Sequence, residues 1–285
     1  MAREIVAMPF AQYSGKRMVN HKQYSSVVAG MLAAFLGGCG GGGSPTGGEF
    51  VEASTTTSSL PPVAAEGLYA GTASNGRHFN TLVLENNQYY IIYGALSANG
   101  FGTEGVITGT GQAANGGFTS ADLKDFSAIG LPVSGTLTGT FSPGVSFRAV
   151  VATSGTAITY AGAAPDRAVY NYDTPARLTD IAGPWSMTAA TGLSASLNIA
   201  ATGSYTGSSA DCDLSGTIVP RASGKNVFDV SIRFDNPFGT SSCALAGQRA
   251  TGHAVSYLLS NGRRQLLVAG SDASRSVATV LAGIR

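Results

Sequence analysis

The sequence predicts an all-β protein: two tandem, small, antiparallel up-and-down β-barrels of about eight strands, each preceded by a short helix. Three observations predict it. From Gly67 onward, apolar residues recur with a period of two between turn dipeptides, and no helical period of ten residues or more interrupts the stretch to Tyr160. The strand pattern of the first half returns in the same order in the second. The composition is small and weakly charged, with 39 glycines and 12% charged residues, as suits an envelope β-protein better than a cytosolic enzyme.

The elements follow in order. Leu68 to Gly71, Thr81 to Leu84 and Gln88 to Tyr93 alternate as strands, with Asn86-Asn87 as the tight turn between the last two. Gly105 to Thr110, Phe118 to Phe126, Val133 to Thr140, Val145 to Val151 and Ala157 to Tyr160 continue the series. The breaks fall at Ala114-Asn115-Gly116-Gly117, Pro143-Gly144 and Ser154-Gly155. In the second half Gly183-Pro184-Trp185 answers Gly67-Leu68-Tyr69, and Gly216-Thr217-Ile218 answers Gly105-Val106-Ile107. Phe228 to Phe234 pairs with Phe118 to Phe126, and Asn261-Gly262 with Pro143-Gly144. Ala246-Gly247 with Gly252 matches Ser134-Gly135 with Gly139, and Leu281-Ala282-Gly283 closes the series as Tyr160-Ala161-Gly162 does. Seven or eight hairpin-linked strands per copy close into a barrel because closure removes exposed edges. Strands of five to eight residues leave an interior filled by side chains.

Between the copies, Asp173 or Thr174 is placed to cap a helix with Pro175 at its first position, running toward Gly183. Leu60-Pro61-Pro62-Val63 holds the matching place before the first copy. A short helix leading into a Gly-x-aromatic strand resembles the entrance of lipocalin-like barrels. That resemblance implies that Tyr69 and Trp185 close the barrel floors; the plain alternative is two ordinary core aromatics. Paired barrels on a lipid anchor also resemble, in architecture alone, the lobes of transferrin-binding protein B.

The front of the chain gives an address. From Met18, His21 and Lys22 precede the ten-residue apolar run Val27 to Leu36, the layout of a secretory leader. Such a run is too short to span a bilayer, which takes about 20 apolar residues. It ends in Leu36-Gly37-Gly38-Cys39, which resembles the lipobox of bacterial lipoprotein precursors. The resemblance implies diacylglyceryl attachment at Cys39, cleavage before it and stable membrane anchoring. The residue after it is Gly40, not the aspartate that holds such proteins at the inner membrane, so the expected location is the outer membrane. The alternative is an ordinary secretory cleavage site with an incidental cysteine. The expected layout is a signal peptide over 1–38, starting at Met1 or Met18, and a lipidated flexible tether over 39–60. Barrel 1 then covers 61–164, a linker with a short helix 165–182, and barrel 2 183–285.

Four of the 17 basic and one of the 16 acidic residues precede Cys39, leaving 13 and 15 and a net charge near −2. No basic stripe marks a nucleic-acid binder. With Cys39 assigned to lipid, Cys212 and Cys243 form an even pair, expected as a disulfide in an oxidising compartment. Two free thiols, or a metal pair lacking further ligands, are the alternatives.

Chemistry is sparse. After the leader only His78 and His253 remain, His78 in a turn and His253 at a strand start, neither in a triad or metal-ligand spacing. Asp211-Cys212-Asp213 lacks the ligand spacing of a calcium loop, and no catalytic residue, metal or cofactor is assigned. The expectation is a non-catalytic outer-membrane lipoprotein serving as a binding or structural component of the envelope. Its partners would be the membrane, through the anchor, and an envelope protein or small ligand. A lipid-anchored hydrolase is the alternative and predicts a nucleophile near one histidine. A barrel that inhibits a hydrolase, or an adhesin, is the third.

Overall fold

The structure is a computed structural model that describes residues 64–98, 100–128, 130–209, 212–236, 243 and 245–285. The leader, Cys39, the tether, Leu60 to Val63 and Asp211 lie outside the described residues.

Barrel 1 is built from β1 (Gly67–Ala73), β2 (His78–Val83), β3 (Gln88–Ser97), β4 (Gly100–Thr110), β5 (Gln112–Ala114), β6 (Gly117–Ser127), β7 (Val133–Ser142), β8 (Ser146–Thr153) and β9 (Thr156–Ala163). β4 and β5 occupy one position in the ring: both pair with β6, on either side of a break at Gly111. β1 pairs with β9, so eight positions close antiparallel. Barrel 2 runs β10 (Gly183–Ala189), β11 (Ser194–Ile199), β12 (Ser204–Ser209), β13 (Cys212–Pro220), β14 (Phe228–Asp235), β15 (Arg249–Leu258), β16 (Arg264–Ser271) and β17 (Ala278–Ile284), and closes through β10 and β17.

The two closures share a register. Gly71 lies opposite Gly162 in barrel 1, and Met187 opposite Gly283 in barrel 2. These are the positions that the Gly67/Gly183 and Gly162/Gly283 correspondences make equivalent. The turns obey local chemistry: Asn87, Asn115 and Gly116 all adopt positive φ (61°, 50° and 76°), which asparagine and glycine tolerate best.

The short helices are not seen as expected. Before barrel 2 there is only one 3-10 turn, Leu178–Asp180, with no side-chain cap. Pro175 and Arg177 explain it. Proline disfavours the helical region for Thr174 before it, and Arg177 is extended (φ −125°, ψ 127°), so nothing nucleates a helix behind Asp173. Residues 64–66, ahead of β1, carry no helix.

The interior of barrel 1 is aromatic. Tyr69, Phe79, Tyr89, Tyr93, Phe118, Phe147 and Tyr160 are buried there, with Phe118 edge-on to both Tyr89 and Phe147. The rings of β3 lie across glycines of β4. A Cβ on Gly105 would sit 2.3 Å from the Tyr93 hydroxyl, and one on Gly109 2.4 Å from that of Tyr89. Tyr69 and Trp185 are buried in their respective cores, and each bonds back four residues: Tyr69 Oη to the Ala65 carbonyl (3.1 Å), Trp185 Nε1 to that of Ile181 (2.6 Å). The duplicated aromatics thus do the same job, tying the incoming chain to the first strand.

A third core lies between the barrels, within the compact unit formed by Thr57–Arg285. Leu82, Tyr90, Ile92, Phe101 and Val106 face outward from barrel 1 and meet Val255, Leu267, Ala269, Val280 and Ala282 of barrel 2, with Tyr170 and Tyr172 of the linker. This is why Tyr89 to Tyr93 and Leu266 to Ala269 are continuous apolar runs: strands buried on both faces lose the alternation of half-solvated ones. At the centre of this face, Gln265 accepts a bond from the Phe101 amide (3.0 Å) and donates to the Phe101 and Gly283 carbonyls (3.2 and 3.1 Å).

Candidate functional site

Among the described residues, both barrel interiors are packed with side chains. Aromatic rings fill barrel 1, and the space among Leu197, Tyr205, Ile218, Phe234 and Leu281 inside barrel 2 is about 10 Å³, far below the roughly 300 Å³ at which small-ligand pockets begin. The site is on the outside, where barrel 1 lifts off the outer face of barrel 2. There a groove of about 530 Å³ opens between Gln88 and Tyr90 on one side and strands β13 to β16 on the other.

Strand alternation builds its floor. On β14, Phe228, Val230, Ile232 and Phe234 point into barrel 2, so Asp229 and Ser231 point out. On β15, Ala250 and Ala254 point in, which turns Thr251, His253 and Val255 outward. The register aligns Thr217 with Ser231, Ser231 with Thr251, and Thr251 with Ser271, a row of four hydroxyls across four adjacent strands. Thr217 and Ser231 bond to each other at 2.8 Å. One row further in, Val219, Asp229, His253 and Ala269 align, and beyond them the apolar contact with barrel 1 begins. The groove therefore sits where the outer face changes from hydroxyls to hydrocarbon.

Charged residues at this border are mutually committed. Arg221 reaches Glu85 of barrel 1 (2.8 Å) and Asp229 (2.6 Å); these two bonds outweigh burial and hold its pKa up, and the same pairing helps to hold the Glu85 carboxyl low against burial. Across the groove Arg275 pairs with Asp122 (3.0 Å) and donates to the Thr108 carbonyl (2.8 Å). Asp272 accepts the amides of Ser276 and Val277 and the Ser274 hydroxyl, which outweigh its slight burial and depress its pKa strongly.

His253 is a strongly perturbed base. Its side chain is 10% exposed and edge-on to Tyr90 (ring centroids 5.2 Å). Nδ1 lies 3.0 Å from Asp229 Oδ1, off the ideal direction of a hydrogen bond, so that nitrogen is poorly satisfied. Burial first, then the Arg221 charge, push its pKa from 6.5 down to about 4, against the pull of Asp229. The folded chain thus refuses a proton that the unfolded chain accepts below about pH 6.5, and stability falls as pH drops from there toward 4. A His253→Gln variant is expected to lose stability less steeply over that window than the parent. Parallel urea-denaturation curves near neutrality and near pH 4.5 would show it; identical slopes would remove His253 as the cause.

Of the residues singled out in the sequence, Cys212 and Cys243 form the disulfide that joins β13 to the segment before β15. His253 lies in the middle of β15, not at a strand start, because the strand begins four residues earlier at Arg249. His78 is the first residue of β2, remote from the groove, and its Nδ1 is 3.3 Å from Thr72 Oγ1. Asp229, Arg221, Arg275 and the hydroxyl row went unseen in the sequence. The hydroxyl row and the Arg221–Asp229 contact depend on strand register within barrel 2, and the Glu85–Arg221 and Asp122–Arg275 contacts on packing between barrels; only the shared outward parity of Thr217, Ser231, Thr251 and Ser271 was readable. No group of three His, Cys, Asp or Glu residues is placed to hold a metal among the described residues.

No family model matches the chain. No curated protein matches it either. Among solved structures it is similar to the crystal structure of a protein of unknown function from the DUF3598 family of Nostoc punctiforme. That similarity has a TM-score of 0.24 and 10% identity, over 77% of this chain and 94% of that one. A likeness of that size carries no argument about fold or function.

Proposed function

We propose that this chain is a lipid-anchored outer-membrane lipoprotein whose fused barrels act, without catalysis, as a binding module of the cell envelope. The observation that carries the binding reading is the contrast between a filled barrel 2 interior and a 530 Å³ groove between the barrels that mixes hydroxyls with hydrocarbon. The Leu36-Gly37-Gly38-Cys39 sequence supports the anchor, and the Cys212–Cys243 bridge supports an oxidising compartment. In cells, Cys39→Ser is expected to move the protein from the membrane to the soluble fraction and to abolish labelling by a fatty-acid probe. Unchanged partitioning of the variant would refute the anchor.

A hydrolase reading has one observation in its favour, the His253–Asp229 contact beside Ser231, Thr251 and Ser271. Against it, no serine or threonine hydroxyl among the described residues is hydrogen-bonded to His253, and the nucleophile–base bond is what activates such a hydroxyl. Covalent labelling by a serine-directed fluorophosphonate that disappears in His253→Ala would favour the hydrolase.

A further inference from the structure

We infer that the groove between the barrels binds a neutral saccharide. This deepens the binding-module reading by naming the ligand class of the same site, and it rests on that reading.

Three features converge on a neutral, polyhydroxylated ligand. The first is charge. The groove is lined by two arginines and two aspartates, and each is already engaged: Arg221 with Glu85 and Asp229, Arg275 with Asp122, and Asp272 with the turn that follows it. With both arginines already neutralised by carboxylates, the groove holds no uncommitted positive charge to draw an anion, and exchanging a partly exposed pair for a new one gains little. A neutral ligand leaves them intact and uses their remaining donor and acceptor positions.

The second is the floor. Thr217, Ser231, Thr251 and Ser271 each carry a group that both donates and accepts, the same dual character that sugar hydroxyls have. Their side chains are short, and Gly252 lines the groove between this row and His253, so a ring can lie close to the sheet. Gln88, whose amide also donates and accepts, stands on the opposite wall and bonds to Tyr90 Oη at 2.9 Å.

The third is an unmade bond. His253 is nine-tenths buried, lines the groove, and holds its Nδ1 3.0 Å from Asp229 Oδ1 out of line for a full hydrogen bond. Orphaned buried polar groups are uncommon in native structures and cost stability. Here the cost is borne at the back of a cavity of ligand size, where a hydroxyl drawing on Asp229 would realign the pair.

The test is titration of the purified chain, followed by the backbone amide shifts of β13 to β16 in an NMR spectrum. The probes are maltose, cellobiose and N,N′-diacetylchitobiose as neutral disaccharides, with galacturonate and inorganic phosphate as ionic controls. At least one disaccharide is expected to saturate in the millimolar range or tighter, moving the groove amides. Thr251→Val, which removes one hydroxyl while keeping a β-branched shape, combined with Ser271→Ala, is expected to weaken that binding about tenfold or more. Ser196→Val, on the exposed face of β11 outside the groove, is expected to leave it unchanged and controls for any general effect of surface valine. No response to any neutral disaccharide, tighter binding of phosphate or galacturonate, or equal affinity of the Thr251→Val/Ser271→Ala protein would overturn the proposal. The anchor is judged separately by fractionation of Cys39→Ser, so saccharide binding and lipid attachment can fail independently. Free sugar and envelope glycan are told apart by adding isolated envelope polysaccharide, which competes for the groove only if long chains fit its open ends.

Discussion

Gln265→Leu lowers the stability of the whole chain by about 3–5 kcal/mol, the largest single-residue effect expected here. Leucine is close to glutamine in size, so the loss is electrical, not volumetric. The glutamine is fully buried and satisfies three backbone groups from two barrels: the amide and carbonyl of Phe101 and the carbonyl of Gly283. Removing it strands the amide and carbonyl of Phe101 in a hydrocarbon face, each at about 1–3 kcal/mol, while the Gly283 carbonyl keeps only its ladder partner opposite Leu266. Gln265→Glu does not rescue, because its second oxygen would face two carbonyls that need a donor. Urea denaturation measured by circular dichroism checks both variants. A drop under about 1 kcal/mol for leucine would mean that Gln265 adds nothing to the contact between the barrels.

Cys212→Ser with Cys243→Ser is expected to cost about 3–4 kcal/mol, the loop-closure value for a bridge of sequence separation 31. Part of the cost is packing, since Cys243 is buried in the core of barrel 2. The effect is local in origin. Hydrogen exchange should accelerate first in β13 and β14, which the bridge braces, and last in β1 to β3, which share no residue with that core. Reducing agent added to the parent protein should reproduce the shift. If the parent unfolds at the same urea concentration with and without reductant, the bridge contributes nothing and the estimate fails.

Much of the fold was legible because local chemistry and long-range closure agree. Asn86-Asn87, Asn115-Gly116 and Asn261-Gly262 marked turns that only a residue tolerant of positive φ makes cheaply, and they lie at hairpins. The duplicated Gly-x-aromatic starts were legible as a repeat, and the equal registers of the two closures bear the repeat out at the level of pairing. What was hidden is relative placement. Tyr89 to Tyr93 reads as one more strand, yet its unbroken apolar run comes from a second buried face against barrel 2. The groove inherits that blindness: Glu85 and Arg221 are separated by 136 residues, and nothing periodic connects them. The helix before barrel 2 failed for a different reason, since capping residues followed by Pro175 suit an extended turn as well as a helix start.

The shared face has a consequence for how such a molecule can change over time. A unit copied in tandem ordinarily retains the option of being shed or swapped, because each copy is finished by itself. Here each copy has surrendered one flank to its sibling, and β4 serves two interiors at once. Cutting the chain at the linker would not yield two smaller proteins but two wounded ones, each with a greasy panel in water. The pair acts as a single physical object, and the crevice along its seam belongs to neither half alone.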